Sequence, residues 1–349
     1  MSTQKDRENR DADGGRRTTR RGLMAALALA PLAAGAVGAA RAAAAGPHGA
    51  EGAEGAGGPV RPVPTTPADW QHVWRLLGGI HGMRGPLVSV VSILREDLRV
   101  VTEGVVLAPA VVGLHLSFVR YADGRTLLMG DLAVTEDELQ DVGRELHRHG
   151  IVQTAVHKHV LAQQPPVWWC HIHAHAHEPV ELARGVRAVV ERTGLRRGPG
   201  RPAAPGGSDP APETRLDLDT AGIDAALGFP GRAANGVYQS LLARRETIVD
   251  DGRVLPDGLG SMTAFNFQPL GRGRAALIGD VAMVAEEVPE VLRRLGAAGV
   301  DLVSLHSHSL AEDPRLFFVH NWAVGDAVAI ARALRPAVDA TRTVPVPVS

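Results

Sequence analysis

Residues 124–174 read GRTLLMGDLAVTEDELQDVGRELHRHGIVQTAVHKHVLAQQPPVWWCHIHA, and an altered copy begins at Gly273: GRAALIGDVAMVAEEVPEVLRRLGAAGVDLVSLHSHSLAEDPRLFFVHNWA. The two align without a gap at an offset of 149 (273 − 124), with 18 of 51 positions identical. Beyond Ala174 the offset drops to 148, so that VELARGVRAVV (180–190) meets VAIARALRPAV (328–338). Upstream the match is looser: ADWQHVWRLLGG (68–79) resembles DTAGIDAALGF (219–229). Two copies of so long a period exclude a solenoid and point to an internal duplication.

Within each copy the pattern is strands, helix, strands, helix. ADGR (122–125) is a turn between two strand-like runs. TEDELQDVGRELHRHG (135–150) has Leu139, Val142 and Leu146 on one helical face, with Thr135 and Glu138 spaced as a capping box. Gly150 and Gly299 stand where a helix ends. A last helix starts at Glu178 and Pro179 in copy one and at Asp326 in copy two. The expected fold is α+β: two tandem β-rich copies with antiparallel sheet and two helices each, related by a pseudo-twofold. The copies span 66–193 and 216–342, separated by a Gly/Pro-rich linker (194–215) and followed by a tail (343–349).

Residues 1–42 have the layout of an export signal: Arg20 and Arg21, an apolar run over 24–40, and a small-x-small site, ARA, at 40–42. The paired arginines suit the twin-arginine route. Residues 43–65 read as a flexible tether, and no run is apolar enough for a comfortable transmembrane helix. The expected localisation is extracellular or cell-envelope, with the protein soluble after signal removal. A net charge of −1 gives no electrostatic footprint for nucleic acid. The single cysteine, Cys170, excludes an internal disulfide, and it reads as a buried thiol or as a thiolate ligand beside His171.

Nine of the fifteen histidines fall within 157–177 and 306–320. Residues two apart in a strand share a face at about 6.5–7 Å, close enough for two imidazoles to reach one ion. His157, His159, His171 and His173, supported by His175, are therefore the expected metal ligands in copy one if His157 pairs opposite His171. Behind them come His177 and the copy-two residues His306, His308 and His320. The expected cofactor is a divalent metal, zinc before copper, nickel or iron. Asp131 and Asp280 follow a glycine in matching strands, which reads as a turn or edge position or as a carboxylate orienting a ligand histidine. Asp131 and Glu178 are the candidate general bases. For His72, His81, His115, His147 and His149 an ordinary structural role is expected.

HKHVLAQQPPVWWCHIHAHAHEPVELARGVR (157–187) and HSHSLAEDPRLFFVHNWAVGDAVAIARALR (306–335) resemble the LppY/LpqO family of exported bacterial proteins, across about residues 66–340. The resemblance implies a duplicated domain with His-rich strands and no assigned activity. Some members look like lipoproteins; no cysteine follows the apolar run here. Three functions remain open: an exported metal-binding protein, a metal-dependent hydrolase at the same site, or a cell-envelope binding module. In the last, the histidines and Trp168/Trp169 would line a surface for a small-molecule or envelope ligand.

Overall fold

The computed structural model describes residues 58–197 and 216–346. The proposed export signal, most of the tether and most of the central linker lie outside the described residues. Copy one begins with helix α1 (Pro67–Leu77), followed by strands β1 (Ile80–Arg84) and β2 (Val88–Leu94) and the short hairpin β3 (Val101–Thr102)/β4 (Val105–Val106). Strands β5 (Gly113–Arg120) and β6 (Thr126–Thr135), helix α2 (Leu139–Arg148), strands β7 (Val152–His157) and β8 (Val167–Ala176) and helix α3 (Pro179–Val190) complete it. Copy two repeats this order. It runs α4 (Thr220–Leu227), β9 (Arg232–Ala234), β10 (Val237–Arg244), β11 (Val249–Asp250), β12 (Arg253–Val254), β13 (Met262–Gly271) and β14 (Arg274–Val284). It closes with α5 (Val288–Ala297), β15 (Asp301–His306), β16 (Glu312–Asp313), β17 (Leu316–Asp326), α6 (Ala327–Asp339) and β18 (Thr343–Pro345).

The sheet orders match: β1-β2-β5-β6-β8-β7 in copy one, and β10-β13-β14-β17-β15 within the copy-two sheet, all antiparallel. Each copy carries three helices, one more than the two expected. The extra ones, α1 and α4, are the segments whose likeness was weakest in sequence. In α1, Trp70, Val73, Trp74 and Leu77 recur at helical spacing and are all buried. Helix α2 starts at Leu139, four residues after Thr135. The Thr135 amide still donates to Glu138 Oε2 at 2.9 Å, which is half of the expected capping box.

Alternation along each central strand decides the layering. On β8, Cys170, Ile172 and Ala174 pack with Trp70, Val142 and Val186 under the helices. Trp169 points the other way, into a cluster with Ala276, Ile278 and Trp322 of copy two. Leu127 and Met129 of β6 likewise meet Ala282 and Phe318. The two sheets thus stack back to back with helices outside, and the described residues of both copies belong to one compact unit. Each large side chain buried at this interface contributes about 1.5–3 kcal/mol. Among the described residues no helix is long and apolar enough to cross a membrane.

Candidate metal centre between the repeats

The sheet faces that meet carry the histidines. His157 ends β7, and His159 lies two residues beyond it; His306 and His308 occupy the same places after β15. His171 of β8 lies opposite Asp131 of β6, and His320 of β17 opposite Asp280 of β14. Strand β7 pairs Ala155 with His171 and His157 with Trp169, two residues from the expected register, after an irregularity between Gln153 and Ala155. An even shift preserves the face, so His157 still meets His171, ring centroids 4.8 Å apart.

The centre is therefore shared by both copies and is not confined to the first. His157 and His306 stack on each other at 3.8 Å across the pseudo-twofold. His159 lies 3.8 Å from His320, and His308 mirrors this with 4.2 Å to His171. His159 stacks on Trp169 and His308 on Phe318, which backs each outer imidazole with an aromatic wall. Asp131 Oδ2 lies 4.0 Å from His159 Nε2, and Asp280 Oδ2 3.6 Å from His308 Nε2. Both acids sit mid-strand in the sheet centre, which corrects the turn or edge expectation. The preceding glycines have a steric reason: a Cβ on Gly130 would strike the His115 carbonyl oxygen, and one on Gly279 would strike the Asn321 side chain.

His173 and His175 leave this centre. They share a face with His171, but each step of two moves about 6.5–7 Å along the strand. His173 Nε2 lies 2.7 Å from Oδ2 of the buried Asp250 of β11, to which Ser309 also donates at 2.9 Å. His175 Nδ1 lies 3.9 Å from Asp251. His177 falls past the end of β8 and is exposed, its carbonyl accepting from Arg120 at 2.9 Å. Glu178 is exposed at the start of α3 and makes no side-chain cap, whereas Asp326 caps α6 by accepting from the Ala329 amide at 2.8 Å. Cys170 faces the helices, away from His171, and burial pushes its thiol up to about 12. Trp168 and Trp169 point to opposite faces and form no common surface.

Hydrogen bonds assign two of the tautomers. Carbonyls only accept, so His320 Nδ1–H donates to Gly279 O at 3.2 Å and His308 Nδ1–H to Gly260 O at 3.4 Å. In the neutral rings each Nε2 then presents a lone pair to the centre, the arrangement that outer partners impose on metal-binding histidines. His157 Nε2 and His320 Nε2 are 3.2 Å apart. Two nitrogens at about 2.0–2.1 Å from one tetrahedral ion lie about 3.3 Å apart. Both ring nitrogens of His306, Nδ1 of His157 and Nε2 of His159, His171 and His308 are buried without a protein hydrogen-bond partner. Three groups bring their ligand atoms within 4.8 Å of one another and can hold a metal ion: His157/His159/His320, His157/His171/His306 and Asp280/His306/His308.

Burial, with the neighbouring imidazoles, opposes protonation of five of the rings. It lowers His157 to about 2, His159 and His171 well below the usual range, and His306 and His320 in the same direction. Burial raises the Asp131 carboxyl. The same burial acts on Asp280, but His320, His308 and His306 outweigh it and hold that carboxyl well below its ordinary value. A pocket of about 230 Å³ opens onto the centre, lined by Asp131, Asp280, His159, His171, His308 and His320 together with His115 and Arg84. Asp280 and Arg84 are additions to the residues singled out as ligands or bases from sequence. A signal for the shared centre was present in LLMGDLAV (127–134), a near-continuous apolar run that implies a strand covered on both faces.

Among curated proteins none matches the chain. Two solved structures are similar to parts of it. The double ringed trimeric shell protein MSM0271 from the RMM microcompartment is 12% identical, covering 62% of this chain and 82% of its own at a TM-score of 0.18. The trimeric bacterial microcompartment shell protein PduB is 10% identical, covering 77% and 96% at 0.19. At such TM-scores neither likeness bears on fold or function. The family comparison is decisive: matched twice, over residues 71–192 and 221–340, the chain belongs to the family described as Domain of Unknown Function (DUF1259).

Proposed function

We propose that the protein binds a divalent transition metal, zinc foremost, at the histidine and aspartate cluster between its repeats. One observation carries the reading. Both ring nitrogens of His306 are buried without a protein hydrogen-bond partner, and His306 belongs to two of the three groups whose ligand atoms lie within 4.8 Å of one another. Buried polar atoms left unpaired are costly, and a bound cation would satisfy them. The unpartnered nitrogens of His159 and His171 supply further donors, and neutral imidazoles suit zinc, copper, nickel and iron. In this reading the segments 66–193 and 216–342 act as one unit, and residues 1–42 direct export as in LppY/LpqO-type proteins.

Metal analysis of the purified protein tests it. Wild-type protein retains transition metal through exhaustive dialysis; His157→Ala with His306→Ala loses it, and His173→Ala with His175→Ala keeps it. Metal-free wild-type protein that takes up none on titration refutes the reading. A second reading, a metal-dependent hydrolase, draws on the pocket that reaches the cluster and on Asp131 within it. A metal there would polarise a substrate oxygen, while Asp131, its proton affinity raised by burial, would exchange a proton.

A further inference from the structure

Arg84 ends β1 and lines two cavities at once: the pocket over the cluster and a neighbouring cavity of about 520 Å³. Its Nη2 is buried without a hydrogen-bond partner, and among the described residues no carboxylate makes an ion pair with it. The two fully buried guanidiniums among the described residues are treated differently. Arg95 is held by Asp97 and Glu138, and Arg244 by Glu246 and Glu287. The larger cavity adds Arg61 and Arg232 to its lining, with Asp257 as its only acid. Arg232 lies close enough for like-charge repulsion to act with burial in pushing Arg84 down.

A half-buried guanidinium with a fully buried, unpartnered nitrogen beside a second cation is unfavourable without an anion to pair with. A planar fork of N–H donors matches a carboxylate or phosphoryl group bidentately. A volume of about 520 Å³ lies within the range of about 300–1,000 Å³ typical of small-molecule pockets. We propose that this cavity receives the anionic group of a small organic acid or phosphoester, paired with Arg84 and flanked by Arg232 and Arg61. Arg84 and Met262 line both cavities, so a ligand whose anion pairs with Arg84 sits beside the pocket over the histidine centre and can extend toward it. That extension rests on the metal reading; the anion site does not.

Calorimetric titration of inorganic phosphate and of succinate, into metal-free and zinc-loaded protein, tests this and separates the two anion chemistries. At least one anion binds the metal-free wild type, and Arg84→Gln weakens that binding at least about tenfold. Arg232→Gln, at an exposed position, weakens it a few fold with the urea midpoint unchanged. Tighter binding to the zinc-loaded form supports a ligand that spans both cavities. No binding of either anion, or binding unchanged in both variants, overturns the proposal. So does binding that requires zinc and survives Arg84→Gln, since it places the anion on the metal. Intact anion binding in a protein that takes up no zinc sinks the metal reading and leaves the arginine site standing.

Discussion

Acidifying the metal-free protein from pH 7.5 to 5.5 should remove a large part of its stability. Five imidazoles, those of His157, His159, His171, His306 and His320, have folded-state pKa values lowered by burial. In the unfolded chain each returns to about 6.5. Below that value the unfolded state binds protons that the fold refuses, so stability falls as pH falls from 6.5 toward the folded values. At pH 5.5 each unfolded imidazole gains about 1.4 kcal/mol from protonation, against less than about 0.1 at pH 7.5. The four rings lowered furthest, His157, His159, His171 and His306, therefore cost about 6 kcal/mol, comparable to the about 5–15 kcal/mol that holds a typical domain folded. Asp131 works in the opposite direction, because its raised pKa makes the folded state the better proton acceptor above the usual carboxylate range, but it is one group against five. Asp280, lowered, loses stability only below about pH 4. Urea unfolding at pH 7.5, 6.5 and 5.5 in the presence of a chelator measures the slope. His157→Gln and His306→Gln should each reduce the loss by about 1.4 kcal/mol. Equal unfolding free energies at pH 7.5 and 5.5 would show that the folded state takes up these protons, and would refute the picture of buried, neutral rings.

Three further outcomes are expected. Glu138→Gln leaves the buried Arg95 with Asp97 as its one carboxylate and costs about 3 kcal/mol in urea unfolding, with Glu287→Gln doing the same to Arg244. Gly130→Ala forces a Cβ against the His115 carbonyl, costs about 1–3 kcal/mol and, by displacing Asp131, lowers metal retention measured by elemental analysis. Cys170, buried with its thiol pushed up to about 12, reacts with a thiol reagent only after unfolding, and Cys170→Ala leaves the metal content unchanged.

Much of the architecture was legible because repetition and periodicity are properties of the chain itself. The 149-residue offset marks Asp131 and Asp280 and the two His-x-His pairs as equivalents before any coordinates. Helices α2, α3, α5 and α6 announce themselves by apolar spacing and by their terminal residues. Helix α4 is harder to read, because TAGIDAAL carries only two buried side chains, Ile223 and Leu227. The candidate site was half legible. His171, His173 and His175 look alike in sequence, one face of one strand, yet only His171 lies beside the pseudo-twofold. His173 and His175 face Asp250 and Asp251 across the sheet interface. Nothing local distinguishes them, because the partners belong to residues more than seventy positions away.

The sequence by itself determined that the chain is a duplication, that each copy alternates antiparallel strands with helices, and which residue types gather on which strand face. Tertiary structure alone decided that the second face of each sheet is covered by the other copy. The physical reason is that an apolar sheet face must be buried, but its pattern does not say against what. Once Leu127, Met129, Trp169, Ile278, Phe318 and Trp322 pack between the sheets, the two sets of three histidines are carried with them into one centre.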